Sequence, residues 1–326
     1  MRRCLVLLLA ITFFSFPLLA DDVPLNSKPF GLWLQEFEQE AKHRGISQAT
    51  LDDAFADTAP LDRVIELDRK QPESVLTLDE YVARIVTPKR IREGRAQMAE
   101  NRAILRKIGK RYGVQPRFIV ALWGIETGFG HNIGGFRVID ALATLAYDSR
   151  RPDYFRGELI DALTILQQEK MPADDLEGSW AGALGQCQFM PSTFLAYAVD
   201  GDGDGKRNIW GSKADAFASI ANYLKALGWK DSEGWGREVD LPDSFDKTLA
   251  DIGKEKPLAE WRRLGVRRDD GGALPNKAIR ASLIFVGEGD DAVPYLVYSN
   301  YKSLLKWNRS RYFATAVGLL ADKIGR

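Results

Sequence analysis

At 326 residues the chain can build a sizeable core, as two domains or one elaborate domain. Its 45 basic and 45 acidic residues cancel, so no global field points to nucleic acid or to an anionic membrane. With only two histidines and two cysteines, a histidine-rich zinc site is disfavoured and a Ser-His-Asp triad has little room.

The first residues have the layout of an export signal. Met1-Arg2-Arg3 is a short basic start, Cys4 to Phe16 is almost wholly apolar, and Pro17-Leu18-Leu19-Ala20 precedes Asp21-Asp22. We expect a signal peptide over 1–20, cleaved after Ala20; an uncleaved membrane anchor is the alternative, although the apolar run is short for a span. Cys4 opens the apolar run rather than following it, which does not suit a lipoprotein cysteine. Cleavage leaves Cys187 alone and the mature chain without an intramolecular disulfide.

The region 21–230 reads as mainly helical. Trp33, Phe37 and Ala41 recur at helical spacing, and Ser47 caps a second helix through Leu51 and Phe55. Pro60 to Glu73 reads as a polar, extended connection, and Leu78 to Val86 as helix again. Arg90 to Arg111 is expected to be one long charged helix on a narrow seam of Met98, Ile104 and Ile108, its basic residues forming a solvated face.

Pro116 suits a first helical position, where its missing N–H costs nothing. It opens an apolar segment that carries one carboxylate, Glu126, to its end, where Gly128 and Gly130 stop the helix. Glu126 follows Trp123, Leu122 and Ile119 by three, four and seven residues, so it shares their apolar stripe. A carboxyl in apolar surroundings has its pKa raised and suits a general acid. The plainer reading is a helix-end glutamate that reaches water or pairs with Arg117 or Arg137. Two more helices follow, one from Asp140 and one from Asp153 to Lys170, interrupted by Arg150-Arg151-Pro152.

Ser179 to Thr193 is a loop of small residues and glycines, which let backbone approach a ligand closely. Ser179 and Gln188 offer neutral hydrogen-bonding groups suited to sugar hydroxyls; a packing loop is the competing reading. Next, Asp200, Asp202 and Asp204 with Gly205 match positions one, three, five and six of an EF-hand calcium loop, and Lys206 would supply its carbonyl at seven. Position twelve is Gly211 instead of glutamate, and Asp215 is the candidate replacement. A solvated acidic turn is the alternative to calcium.

After Trp229 the texture changes. The stretch 231–298 is rich in Gly, Pro and Asp, and Ala281–Val286 and Pro294–Tyr298 read as strands around a Gly-Asp turn, with a short helix from Leu258 to Leu264. The stretch 299–326 reads as two helices that return to the catalytic region, joined at Asn308-Arg309.

Three blocks in this order resemble the lytic murein transglycosylase B family: Gly124-Ile125-Glu126-Thr127-Gly128-Phe129-Gly130, the Ser179-to-Ser192 loop, and the Asp200-to-Trp210 loop followed by Ala221-Asn222-Tyr223. The resemblance implies a mainly α protein, with a lysozyme-like helical core and a small α+β subdomain near the C-terminal end. It implies cleavage of the bond between N-acetylmuramic acid and N-acetylglucosamine in peptidoglycan, giving a 1,6-anhydro sugar without water.

By matching motifs, Glu126 is the expected acid and then base. Ser179, Gln188, Tyr81, Tyr223 and Asn308 are expected to line the saccharide groove, with Arg150 and Arg151 near a peptide or muramyl carboxylate. Calcium, held by Asp200, Asp202, Asp204, Lys206 and Asp215, is the expected structural ion, with no organic cofactor. Trp307 stands where the family often has Tyr, and Cys187 where another residue is usual. The expected partner is the peptidoglycan glycan strand, in the periplasm; other cell-wall enzymes remain an open class of partner.

The chemistry agrees with the residues. Most glycosidases need two carboxylates, whereas this helix brings one, and no second acidic residue lies near it in sequence. A substrate whose own C6 hydroxyl attacks removes the need for the second. The alternatives are a muramidase that uses water and a non-catalytic peptidoglycan-binding protein of the same fold.

Overall fold

The computed structural model describes residues 28–70, 76–148 and 151–325. The signal segment, Cys4 and Arg150 lie outside them. The described chain is mostly helical and falls into two compact units, each built from two separate stretches: 28–70 with 126–220, and 76–125 with 221–325.

In the first unit, the Phe30–His43 helix buries Trp33, Phe37 and Ala41, as their spacing predicts. Phe37 stacks on Trp33 at 5.5 Å and meets the edge of Phe55 at 6.0 Å, on the Gln48–Phe55 helix. Ser47 caps that helix by accepting the Thr50 N–H at 3.2 Å. The Val138–Asp148 helix buries eight successive positions apart from Asp140 and packs along the Pro152–Glu169 helix, so this pair forms the unit's centre. A two-stranded antiparallel ribbon, Phe136–Arg137 against Glu177–Gly178, lies beside it.

One expectation fails here. Residues Asp62–Arg69 form a helix where the sequence reads as extended. Its charges hid the period: only Val64 and Asp68 are buried, while Arg63–Glu66 and Lys70–Glu66 pair along its exposed face.

In the second unit, the expected long helix divides into Pro88–Glu100 and Arg102–Tyr112. Asn101 causes the break, its side-chain amide donating at 3.0 Å to the Gln97 carbonyl and closing the first helix. Met98 and Ile104 are only half-buried; Leu105, Ile108 and Tyr112 carry the packing instead.

The unit's sheet has five strands in the order Lys256–Pro257, Arg280–Val286, Val293–Val297, Gly236–Asp240 and Arg267–Arg268, each antiparallel to its neighbour. Leu283 opposite Leu296 sets the central register. Trp261, on the Leu258–Arg263 helix, packs into this core and donates its indole N–H to the Ala281 carbonyl at 3.0 Å. Burying such a side chain contributes roughly 2–3 kcal/mol. The Ser299–Trp307 and Arg311–Ile324 helices complete the unit. Among the described residues no helix is long and apolar enough to cross a membrane.

Candidate active site

The Pro116–Thr127 helix begins at the predicted proline and ends one residue beyond Glu126. Its apolar residues from Phe118 to Trp123 are fully buried, whereas Glu126 is half-buried. The chain then takes three consecutive left-handed residues, Gly128, Phe129 and Gly130, at φ 59°, 63° and 84°. Phe129 has a Cβ and adopts this conformation at a cost of order 1–3 kcal/mol, held there by its own burial.

Thr127 ties this turn down. Its buried hydroxyl accepts the Gly130 N–H at 3.0 Å and donates to the Gln186 carbonyl at 3.2 Å, fixing the helix end against the downstream loop. The partners suggested for a structural Glu126 are engaged elsewhere: Arg117 pairs with Asp322, and Arg137 with Asp140 and Asp174.

The loop over 178–189 doubles back on itself. Gly178 bridges to Leu184, and Leu184 to Phe189. Ser179 sits inside, 6% exposed, its oxygen accepting the Ala181 and Ala183 N–H groups at 3.3 and 3.0 Å. With both lone pairs filled, the hydroxyl's remaining function is to donate its proton. Gln188 has φ 50° and donates its amide to the Gly185 and Ile133 carbonyls, at 3.0 and 3.2 Å. The amide oxygen is the group's remaining capacity, as an acceptor.

The loop at 131–136 packs closely onto this one. A Cβ on Gly134, at φ 100°, would stand 1.9 Å from the Gly178 carbonyl oxygen, so only glycine fits. The two loops enclose a cavity of about 220 Å³ lined by His131, Asn132, Phe136, Ser179 and Trp180. Cys187 is buried nearby and donates to the Ala216 carbonyl. Burial, with the charge of Glu126 and then Asp215, pushes its thiol well up, so it stays an inert thiol.

The acidic loop has the predicted composition. Asp200, Asp202 and Asp204 bring carboxylate oxygens within 4.8 Å of one another. The Gly203 and Gly205 N–H groups donate to Asp200 at 2.5 and 2.8 Å and hold its carboxyl below the usual range. Asp215 is not one of that group of three. It lies buried beneath the loop, its two oxygens accepting the Gly201 and Asn208 N–H groups at 2.8 and 2.7 Å. Hard oxygen donors at this spacing suit a hard divalent cation.

In the second unit, Tyr223 stacks obliquely on Trp307 at 5.0 Å, and Asn308 caps that helix, its side chain accepting the Ser310 N–H. Tyr81 meets Tyr312 edge-on at 5.6 Å. Tyr312 was not singled out in the sequence; the abundance of aromatics was its only signal. In the first unit, Arg151 lies over Phe155 and Tyr154 at the start of its helix.

The family described as "Transglycosylase SLT domain" matches residues 29–322. The membrane-bound lytic murein transglycosylase B of Escherichia coli (strain K12) is 30% identical over 307 residues, covering 89% of this chain and 81% of that protein. The crystal structure of SltB3 from Pseudomonas aeruginosa in complex with NAG-anhNAM-pentapeptide has a TM-score of 0.87 and 45% identity, covering 91% of this chain and 80% of that one. The Escherichia coli lytic transglycosylase Slt35 in complex with calcium has a TM-score of 0.74 and 29% identity, covering 92% and 93%.

Proposed function

Because the chain belongs to the transglycosylase SLT domain family, we propose that Glu126 is the carboxyl through which it cleaves peptidoglycan. The protein is a peptidoglycan lytic transglycosylase. In this reading Glu126 protonates the oxygen that leaves N-acetylmuramic acid. It then takes the proton of the muramyl C6 hydroxyl as that oxygen closes on C1. The attacking hydroxyl is already tethered to the reacting sugar, so positioning supplies much of the rate. A 1,6-anhydro end results, and water takes no part.

One observation carries the assignment. The left-handed turn closes the helix one residue beyond Glu126 and is bonded through Thr127 to Gln186, which lies between Ser179 and Gln188 in the chain. The Ser179 proton and the Gln188 oxygen are neutral and can orient sugar hydroxyls without adding charge beside the acid. Tyr81, Tyr223, Asn308, Arg150 and Arg151 are assigned to the rest of the glycan and its peptide on motif alone.

Asp200, Asp202 and Asp204 would hold a calcium ion, with the Lys206 carbonyl adding to its shell and Asp215, the ligand expected from the sequence, bracing the loop from beneath. The ion's contribution is to neutralise and stiffen the loop. The leading segment supports export, and the periplasm is the proposed place of action. The test is Glu126→Gln, which keeps shape and removes the proton. We expect turnover of peptidoglycan to vanish while glycan binding persists; undiminished turnover would remove Glu126 from the role.

A further inference from the structure

Within the second unit, Arg117, Trp235, Arg237, Lys277, Tyr298 and Asp322 line a cavity of about 220 Å³ that includes none of the residues assigned to catalysis. Its one carboxylate is already engaged. Asp322 accepts from Arg117 and from the Trp235 indole N–H, both at 2.9 Å. Glu233, which also acts on Tyr298 electrostatically, is bound to Lys230 at 3.1 Å and to the Ser299 hydroxyl at 2.7 Å. Among the described residues no carboxylate pairs with Arg237 or with Lys277. The cavity therefore carries two uncompensated cations.

One of these cations is fixed in place. Arg237 sits on the Gly236–Asp240 strand, and its Nε donates to the Tyr298 hydroxyl at 2.7 Å. This bond uses the guanidinium's inner N–H and leaves its terminal nitrogens without a protein partner among the described residues. Tyr298 is 3% exposed. Having accepted from Arg237, its hydroxyl still has a proton to give, and burial keeps that proton on by pushing the phenol up. A rigid guanidinium fork, a neutral O–H beside it and an exposed ammonium at the rim match the two oxygens of a carboxylate.

We propose that Arg237, Tyr298 and Lys277 form a binding site for the terminal carboxylate of a short peptide. At about 220 Å³ the cavity is smaller than the roughly 300–1,000 Å³ of sites that hold drug-sized ligands, which suits the end of a peptide. The peptide has two possible sources: a stem carried on a glycan strand, which rests on the function proposed above, or a free peptide, which does not.

The experiment is titration of the full chain with N-acetyl-alanyl-alanine and with its C-terminal amide, followed by calorimetry or NMR. We expect the acid to bind at least about tenfold more tightly than the amide. Arg237→Gln should weaken the acid about tenfold, the worth of one charge-assisted hydrogen bond, and Lys277→Gln roughly threefold. Lys277 is exposed and unpaired, so its variant tests the site without threatening the fold. Glycan strands with and without stems, titrated against the Glu126→Gln protein, identify the source. A stem-dependent gain lost in Arg237→Gln assigns the site to the strand; no gain, with the dipeptide still bound, assigns it to free peptide. Equal binding of acid and amide, or none of either, overturns the site. Binding needs no turnover, so a negative result leaves the role of Glu126 untouched.

Discussion

Thr127→Val removes a hydroxyl and keeps the shape. Thr127 is 1% exposed, and its hydroxyl bonds the Gly130 N–H and the Gln186 carbonyl. Each bond is worth about 1 kcal/mol net, and a buried polar group left short of a partner adds on the order of 1 kcal/mol. The expected loss is about 2–3 kcal/mol. In a chain of this length 1 kcal/mol moves the melting temperature by about 2 °C, so Tm should fall by about 5 °C in calorimetry. Thr127→Ser keeps the oxygen and loses one methyl, a cost of about 1 kcal/mol. The valine variant should also lose activity at 25 °C, well below its Tm, by about tenfold or more. Without the tie, the left-handed turn no longer fixes the helix end that carries Glu126, and small displacements of a catalytic group are expensive. If the valine variant melts within about 1 °C of wild type and turns over normally, the turn does not position Glu126.

Other expectations follow from packing, metal and protons. Gly134→Ala drives a Cβ into the Gly178 carbonyl at a positive φ; we expect at least about 3 kcal/mol of destabilisation, read by thermal unfolding. Added calcium should raise Tm, by up to about 2.7 kcal/mol of stability at a hundredfold excess over Kd, and chelation or Asp200→Asn should abolish that gain; an unmoved Tm would make the loop a solvated turn. Burial raises the pKa of Glu158, whose carboxylate accepts the Ser192 N–H and hydroxyl. A carboxyl raised on folding from 4.5 stabilises most below that value and loses the contribution as pH rises through its folded pKa. Wild type should therefore lose stability relative to Glu158→Gln as pH rises from about 4.5 through the raised folded pKa; a pH-independent difference would show that folding does not raise Glu158.

Local chemistry was legible in the sequence; partners distant along the chain were not. Pro116, the apolar run and two glycines suffice to end a helix after Glu126, because each acts through its own backbone. Thr127 could not be read that way, since its partner lies 59 residues on. Phe129 adopts a conformation its residue type disfavours, so only packing could reveal it. The Asp62–Arg69 helix was missed because one buried valine and one buried aspartate leave no apolar stripe to detect. The EF-hand motif located the three-aspartate cluster, yet the bracing of Gly201 and Asn208 by Asp215 needed the fold. The pairing of Tyr81 with Tyr312 spans most of the chain and has no local sign.

Mass analysis of peptidoglycan digested by the wild-type protein tests the central claim most directly. If one carboxyl makes both proton transfers and the substrate's own hydroxyl attacks, every new muramic acid end is the 1,6-anhydro form. Products 18 Da heavier, each carrying the water of a reducing end, would contradict it.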